Sequence, residues 1–299
     1  QNMVAIVAAV GCGGIILRFG PLRVSQLVLV LMASSIMVMA TGVLWLYPLA
    51  AILLGLSAIS TPASSHILAR VCPPRLAPLI FSVKQTGVPV GSLIGGLLLP
   101  FLLGLVVYSA TLGTTIRLGT YGTAFVVALI VLVIAVLLQP IRTYFDADRK
   151  PETRIALGDI ATTIREVQGD PALRDIAFAA FAFGGLQSLF AGFFILYLID
   201  GLEYSETQAG SAYAIASFSA IFARIGWGLL AAGKMTPRHV MACIGLIGGV
   251  SALLLARFDV NWTLWEITAI AMVYNMTAIS WHGVLLAETA RLAPADRVG

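Results

Sequence analysis

From Val24 to Ala69 the chain carries no Lys, Arg, Asp or Glu. A soluble domain has no place for an uncharged stretch of that length. One bilayer crossing takes only roughly 20 apolar residues to span about 30 Å of hydrocarbon. The stretch therefore reads as two crossings, with Gly42 and the Tyr47-Pro48 pair marking the turn between them. The rest of the sequence agrees, since 59% of the 299 residues are hydrophobic and 11% are charged. An ordinary soluble domain is about a quarter charged, so there is too little polar surface here to face water. The formal charge of +4 does not gather into a patch, which argues against a nucleic-acid partner. Cys12, Cys72 and Cys243 are isolated, with neither a CxxC pair nor a histidine spacing that suggests a metal, and read as packing residues.

Hydropathy divides the chain into nine expected spans, about 1–17, 25–45, 47–69, 86–109, 120–140, 173–199, 207–232, 238–256 and 264–288. Membrane strands are a poor alternative, because they alternate apolar and polar residues and stretches such as Ala124–Leu138 are continuously apolar. The chain begins at Gln1 inside an apolar run, without a signal-peptide pattern, and stops after a basic cluster. The expectation is that both ends of a longer protein are missing.

Lys and Arg set the orientation. Alternate loops hold Arg18 and Arg23; Arg70, Arg75 and Lys84; six residues in 141–175; Lys234 and Arg238; and Arg291 and Arg297, which is 15 of the 18 basic residues. The opposite loops hold Arg117 and Arg257. Positive loops stay in the cytoplasm, which predicts a multi-pass protein of a bacterial inner membrane with its central loop cytoplasmic. Trp45, Tyr47, Tyr108, Tyr121, Tyr197, Trp262 and Trp265 fall near the opposite ends of the spans, where amphipathic rings prefer to sit. The central stretch 141–172 mixes charges of both signs, and its Ile155, Leu157, Ile160 and Ile164 predict a short surface helix. Asp170-Pro171 reads as the N-cap and first residue of the following span.

Five spans precede this stretch and four follow it. Between the first two stands Gly13-Gly14-Ile15-Ile16-Leu17-Arg18-Phe19-Gly20-Pro21-Leu22-Arg23. It resembles the loop signature G-x-x-x-D-R-x-G-x-R-R of the major facilitator superfamily, matching at Gly13, Arg18, Gly20 and Arg23 and departing at Leu17, in the acid's place, and at Leu22. Ala223-Arg224-Ile225-Gly226-Trp227-Gly228, followed by Lys234 and Arg238, looks like the degenerate second copy, again without its acid. Phe81–Gly91, with Lys84, Gln85 and glycines 87, 91 and 95, is similar to the entry to the fifth span of many bacterial members. Leu285–Pro294 resembles the end of their tenth span. The resemblance implies an all-α two-bundle transporter with about nine of twelve spans present. These divide into an N-terminal bundle (1–140, spans 2–6), a cytoplasmic linker (141–172) and a C-terminal bundle (173–299, spans 7–10), two parallel repeats about an axis normal to the membrane. It implies gating contacts at Gly13, Arg18, Gly20, Arg23, Lys84, Gln85 and Gly228. It further implies a small-molecule substrate, with or without a coupling proton or ion, in a monomer embedded in lipid.

The same resemblance puts substrate at mid-depth on spans one, four, seven and ten, the first of which is expected to be missing. There the polar residues are Ser57, Ser60 and Thr61, then Gln187 and Ser188, then Tyr274, Asn275 and Thr277, with Tyr213 and Ser217 on a neighbouring span. Gln187 and Asn275 are the most informative, because an amide in hydrocarbon must find a partner: either a neighbouring helix or a polar ligand. Arg224 is a basic residue well inside a span, where charge marks function or a partner. It either snorkels to a gate contact or binds an anionic substrate. His66 and His282 read as packed or interfacial, and Glu288 as paired with a nearby base. No carboxylate sits at mid-depth in these windows. GxxxxGK[ST], HExxH and GxSxG are absent, so neither an ATPase nor an enzyme is expected, and no cofactor or metal. The function expected is secondary transport of a small polar or anionic solute by alternating access. Export of lipophilic or drug-like compounds, or a transporter-like sensor, is the alternative.

Overall fold

The computed structural model describes residues 1–109, 114–153, 164–165 and 167–292. Among them helices occupy all nine windows. They are α1 (Asn2–Val10), α2 (Gly13–Phe19), α3 (Pro21–Ala40), α4 (Tyr47–Leu56), α5 (Ser60–Val71), α6 (Ala77–Gly104), α7 (Gly119–Leu137), the short α8 (Arg142–Phe145), α9 (Pro171–Leu196), α10 (Glu206–Gly233), α11 (Pro237–Leu255), α12 (Leu264–Thr277) and α13 (His282–Leu292). Seven helical segments are long and apolar enough to cross a membrane, or eight if the bent pair α1–α2 is one crossing.

Local chemistry explains where the helices begin. The Asp170 side chain accepts from the amides of Ala172 and Leu173 (2.7 and 3.3 Å), satisfying orphan donors of α9 as its sequence predicts. Ser205–Gln208 and Thr263–Glu266 form reciprocal capping boxes at α10 and α12.

Three expectations need correction. The first window is not one helix, since α1 and α2 meet at 60° across Gly11 and Cys12. The fourth runs from Ala77 to Gly104 rather than over 86–109, because Lys84 and Gln85 sit inside the helix. Its expected end is a hairpin, in which β1 (Val106–Ser109) pairs antiparallel with β2 (Thr114–Arg117), Val106 opposite Arg117. The surface helix expected from Ile155, Leu157 and Ile160 lies outside the described residues.

Contacts group the chain into two units, Gln1–Arg70 with Ile94–Glu166, and Val71–Leu93 with Val167–Ala293. In the first unit α3 lies along α7 and α4, over a core of Cys12, Ile16, Val24, Val28, Ile59 and Ala63. In the second, α12 lies along α10 and α11. Burial decides which helix is central there: 56% of the apolar window of Leu264–Leu292 is buried, against 17–33% in the other six. The outward faces are apolar, as a lipid-facing surface requires. Trp45 and Trp265, expected at the membrane boundary, are 91% and 72% exposed.

Candidate functional site

The last span is broken. α12 ends at Thr277 and α13 begins at His282. Carbonyls at such a break lose their helical donors, and in hydrocarbon each needs another. Here side chains supply them. The Ser280 hydroxyl donates to Asn275 O (2.7 Å), the Trp227 indole to Met276 O (2.6 Å), and Arg224 Nη2 to Ile279 O (3.2 Å). Arg224 Nη1 also donates to the carbonyl of Gln85 on α6. One guanidinium from α10 thus ties α6 to the break. Arg224 is 3% exposed and pairs with no carboxylate among the described residues. Its Nε, the Ser82 hydroxyl and the Trp281 indole nitrogen are buried without partners.

Glycine makes this junction possible. A Cβ at Gly283 would overlap Ser82 Cα, and one at Gly228 would lie 2.7 Å from Ser82 Cβ and 3.0 Å from Leu79 Cα. α6 therefore seats directly on the backbones of α10 and α13. Trp281 closes the side by stacking on His282 and Phe183, at 4.0 and 5.5 Å between ring centres. Lys84 sits 6.0 Å above the Phe81 ring on the same helix. One turn deeper in α13, Glu288 is 2% exposed and pairs with Arg238 (3.3 Å) and Arg291 (2.7 Å).

The mid-depth candidates of this unit divide in two. Asn275 Nδ2 donates to Ala271 O of its own helix (2.9 Å), and the Tyr274 hydroxyl to Leu186 O (2.8 Å). Both are satisfied within the unit. Tyr213 and Tyr274 both stack on a shared neighbour, Phe190, at 5.7 and 5.1 Å. Gln187 is half-buried and makes no hydrogen bond among the described residues. It stands beside the carbonyl that Tyr274 occupies and one turn before Phe190.

Ser60 and Thr61 belong to the other unit. They follow a 3-10 turn (Ser57–Ile59), where Pro62 has no amide to offer Ala58 O. Ser64 Oγ donates to Ser60 O (2.7 Å). In the same unit the loop signature folds as α2, a turn and the start of α3. Gly13 opens α2, Arg18 lies 5.6 Å over the Phe19 ring, and Gly20 adopts φ +94°. The acid absent at Leu17 is supplied from elsewhere. Asp146, 7% exposed, accepts from the amides of Leu22 (2.8 Å) and Arg23 (3.0 Å), and a Cβ at Gly20 would strike its carboxylate. Arg70 pairs with Asp148, and Lys150 N donates to Leu17 O (2.8 Å). Residues 142–150 are thus a strap pinned across the loop. Sequence reading places Asp146 among linker charges and gives it no partner, because the pairing crosses more than a hundred residues. Replacing Asp146 by Ala removes a helix cap, and we expect a loss of about 1–2 kcal/mol, with faster amide exchange at Leu22 and Arg23. Asn, which keeps one acceptor, is expected to lose less.

Seven or eight segments of membrane-crossing length define a polytopic membrane protein rather than a single-pass one. The family description Major Facilitator Superfamily matches residues 2–299, and the chain belongs to that family of secondary transporters. The fold is also similar to the crystal structure of a bacterial homologue of the iron transporter ferroportin in an outward-facing state, at a TM-score of 0.64 and 14% identity, covering 99% of this chain and 75% of that one. Among curated proteins no match is found.

Proposed function

We propose that this protein carries a small polar or anionic solute across the bacterial inner membrane by alternating access, with Gln187, Tyr213 and Tyr274 lining the contact region and Arg224 governing access to it. The observation that carries this reading is the half-buried Gln187 amide beside the Phe190 stack, which makes no hydrogen bond among the described residues. An amide at membrane depth needs a partner, and its neighbours Tyr274 and Asn275 are already occupied. Arg224 supports the anionic preference, since a buried positive charge without a carboxylate raises the affinity of the region for anions. Ser60 and Thr61 are the contribution we assign to the N-terminal half. Arg18, Arg23, Lys84, Gln85 and Gly228 belong to the gating contacts, and the positive loops face the cytoplasm. A metal cargo, such as the iron named for the ferroportin homologue, finds no support among the described residues, where no three His, Cys, Asp or Glu converge.

Gln187→Leu keeps the volume and removes the amide. The expectation is a rise in KM or Kd of roughly 10-fold, the value of one lost hydrogen bond in a dry site, with thermal stability unchanged or raised. Solute-induced thermal shifts on the full-length protein check it. An unchanged affinity for the best-stabilising solute would remove Gln187 from the site.

A further inference from the structure

The strap holds a second feature that transport does not use. Arg142, Thr143, Asp146, Ala147 and Arg149 line a cavity of about 270 Å³. Neither arginine has a carboxylate partner among the described residues, and the one polar contact of the Arg142 guanidinium is a long one to Gln139 Oε1 (3.5 Å). The Thr143 hydroxyl makes no hydrogen bond there either. Asp146, the acid of the cavity, has both oxygens turned to the amides of Leu22 and Arg23, where the positive end of α3 offsets its charge. What remains is two guanidinium groups and a hydroxyl around a space of net positive charge.

Its position says where a matching anion comes from. The cavity begins five residues after α7, whose end is open and apolar, Val136 and Leu137 each being 69% exposed; Ile141 beyond it is 45% and Tyr144 of α8 73% exposed. An apolar wall ending in an aromatic residue beside two arginines is the profile of an acyl chain leading to a headgroup. We propose that this cavity binds the phosphodiester headgroup of an anionic phospholipid, with Arg142 and Arg149 on the phosphate, Thr143 donating to it, and the acyl chains along the end of α7. A bound lipid would hold the strap in place over the loop signature.

The test uses the full-length protein in nanodiscs and native mass spectrometry. Wild type is expected to retain phosphatidylglycerol in preference to phosphatidylcholine. The Arg142→Gln/Arg149→Gln double variant should bind it about 30-fold more weakly, from roughly a fivefold step per basic residue. Arg142→Lys/Arg149→Lys should keep most of the preference, since a point charge still meets a phosphate. Equal retention in wild type and the Gln variant overturns the proposal. So does displacement of the lipid by millimolar inorganic phosphate, which would make this a free-anion site. Should the Gln variant fail to fold, a photoreactive phosphatidylglycerol on wild type decides: labelling within 142–149 supports the assignment, and labelling confined to other segments refutes it.

Discussion

Arg224→Met is expected to leave a folded protein whose transport falls by about 100-fold. The two halves of that expectation come from different terms. Arg224 is buried without a carboxylate partner among the described residues, and taking a guanidinium out of water costs several kcal/mol. Met fills similar volume and removes that cost, so the thermal midpoint should hold or rise. The lost hydrogen bonds count against it. Ile279 O keeps a neighbour in His282 Nδ1 at 3.3 Å, but Gln85 O loses the donor that ties α6 to the break. Hydrogen bonds from charged donors contribute about 1.5–3 kcal/mol each, and a junction weakened by about 3 kcal/mol shifts a conformational equilibrium about 100-fold. If the arginine were a packing accident, stability would change and transport would follow it. The account predicts that the two separate. Transport by Arg224→Met at the wild-type rate, with the fold intact, would show that the latch has no role.

The second large effect is at Gly283. Any side chain there meets the backbone of Ser82, so Gly283→Val cannot be absorbed by a rotamer change and must push α6 away. Overpacking of this kind costs about 1–3 kcal/mol. Displacement should appear as faster amide exchange in 79–85, with α11 unaffected. Gly249 is the control. A Cβ there meets nothing within 4 Å, and Ala is a better helix former than Gly by about 1 kcal/mol, so Gly249→Ala should be neutral or stabilising. Equal behaviour of the two variants would mean that α6 does not seat on Gly283.

The sequence and the structure part company at identifiable places. The spans were legible because hydrocarbon imposes one length on every crossing, and the start of α9 because capping is local chemistry. The break at 278–281 was not. Hydropathy averages over a window, and Ala278, Ile279 and Trp281 are as apolar as any helix. The donors that make the break tolerable, Trp227 and Arg224, come from another helix some fifty residues away. The bend at Gly11–Cys12 and the strand pair 106–109 with 114–117 escaped through the same averaging. Arg224 was conspicuous as a charge, yet its carbonyl partners on α6 and in the break carry no sequence signal. Asn275 and Gln187 looked equivalent as buried amides. A carbonyl one turn back satisfies the first, while the second makes no hydrogen bond among the described residues. The missing acid of the loop signature is instructive, because Leu17 suggested a lost contact where Asp146 restores one from a distant segment.

The most direct test of the account is counterflow of a labelled small organic anion into proteoliposomes of the full-length protein, in wild type and in Gln187→Leu. The account predicts saturable exchange in wild type, half-saturating at roughly 10-fold higher concentration in the variant while the protein remains folded. Exchange that survives in Gln187→Leu at the wild-type concentration dependence, or flux confined to lipophilic compounds, would contradict it.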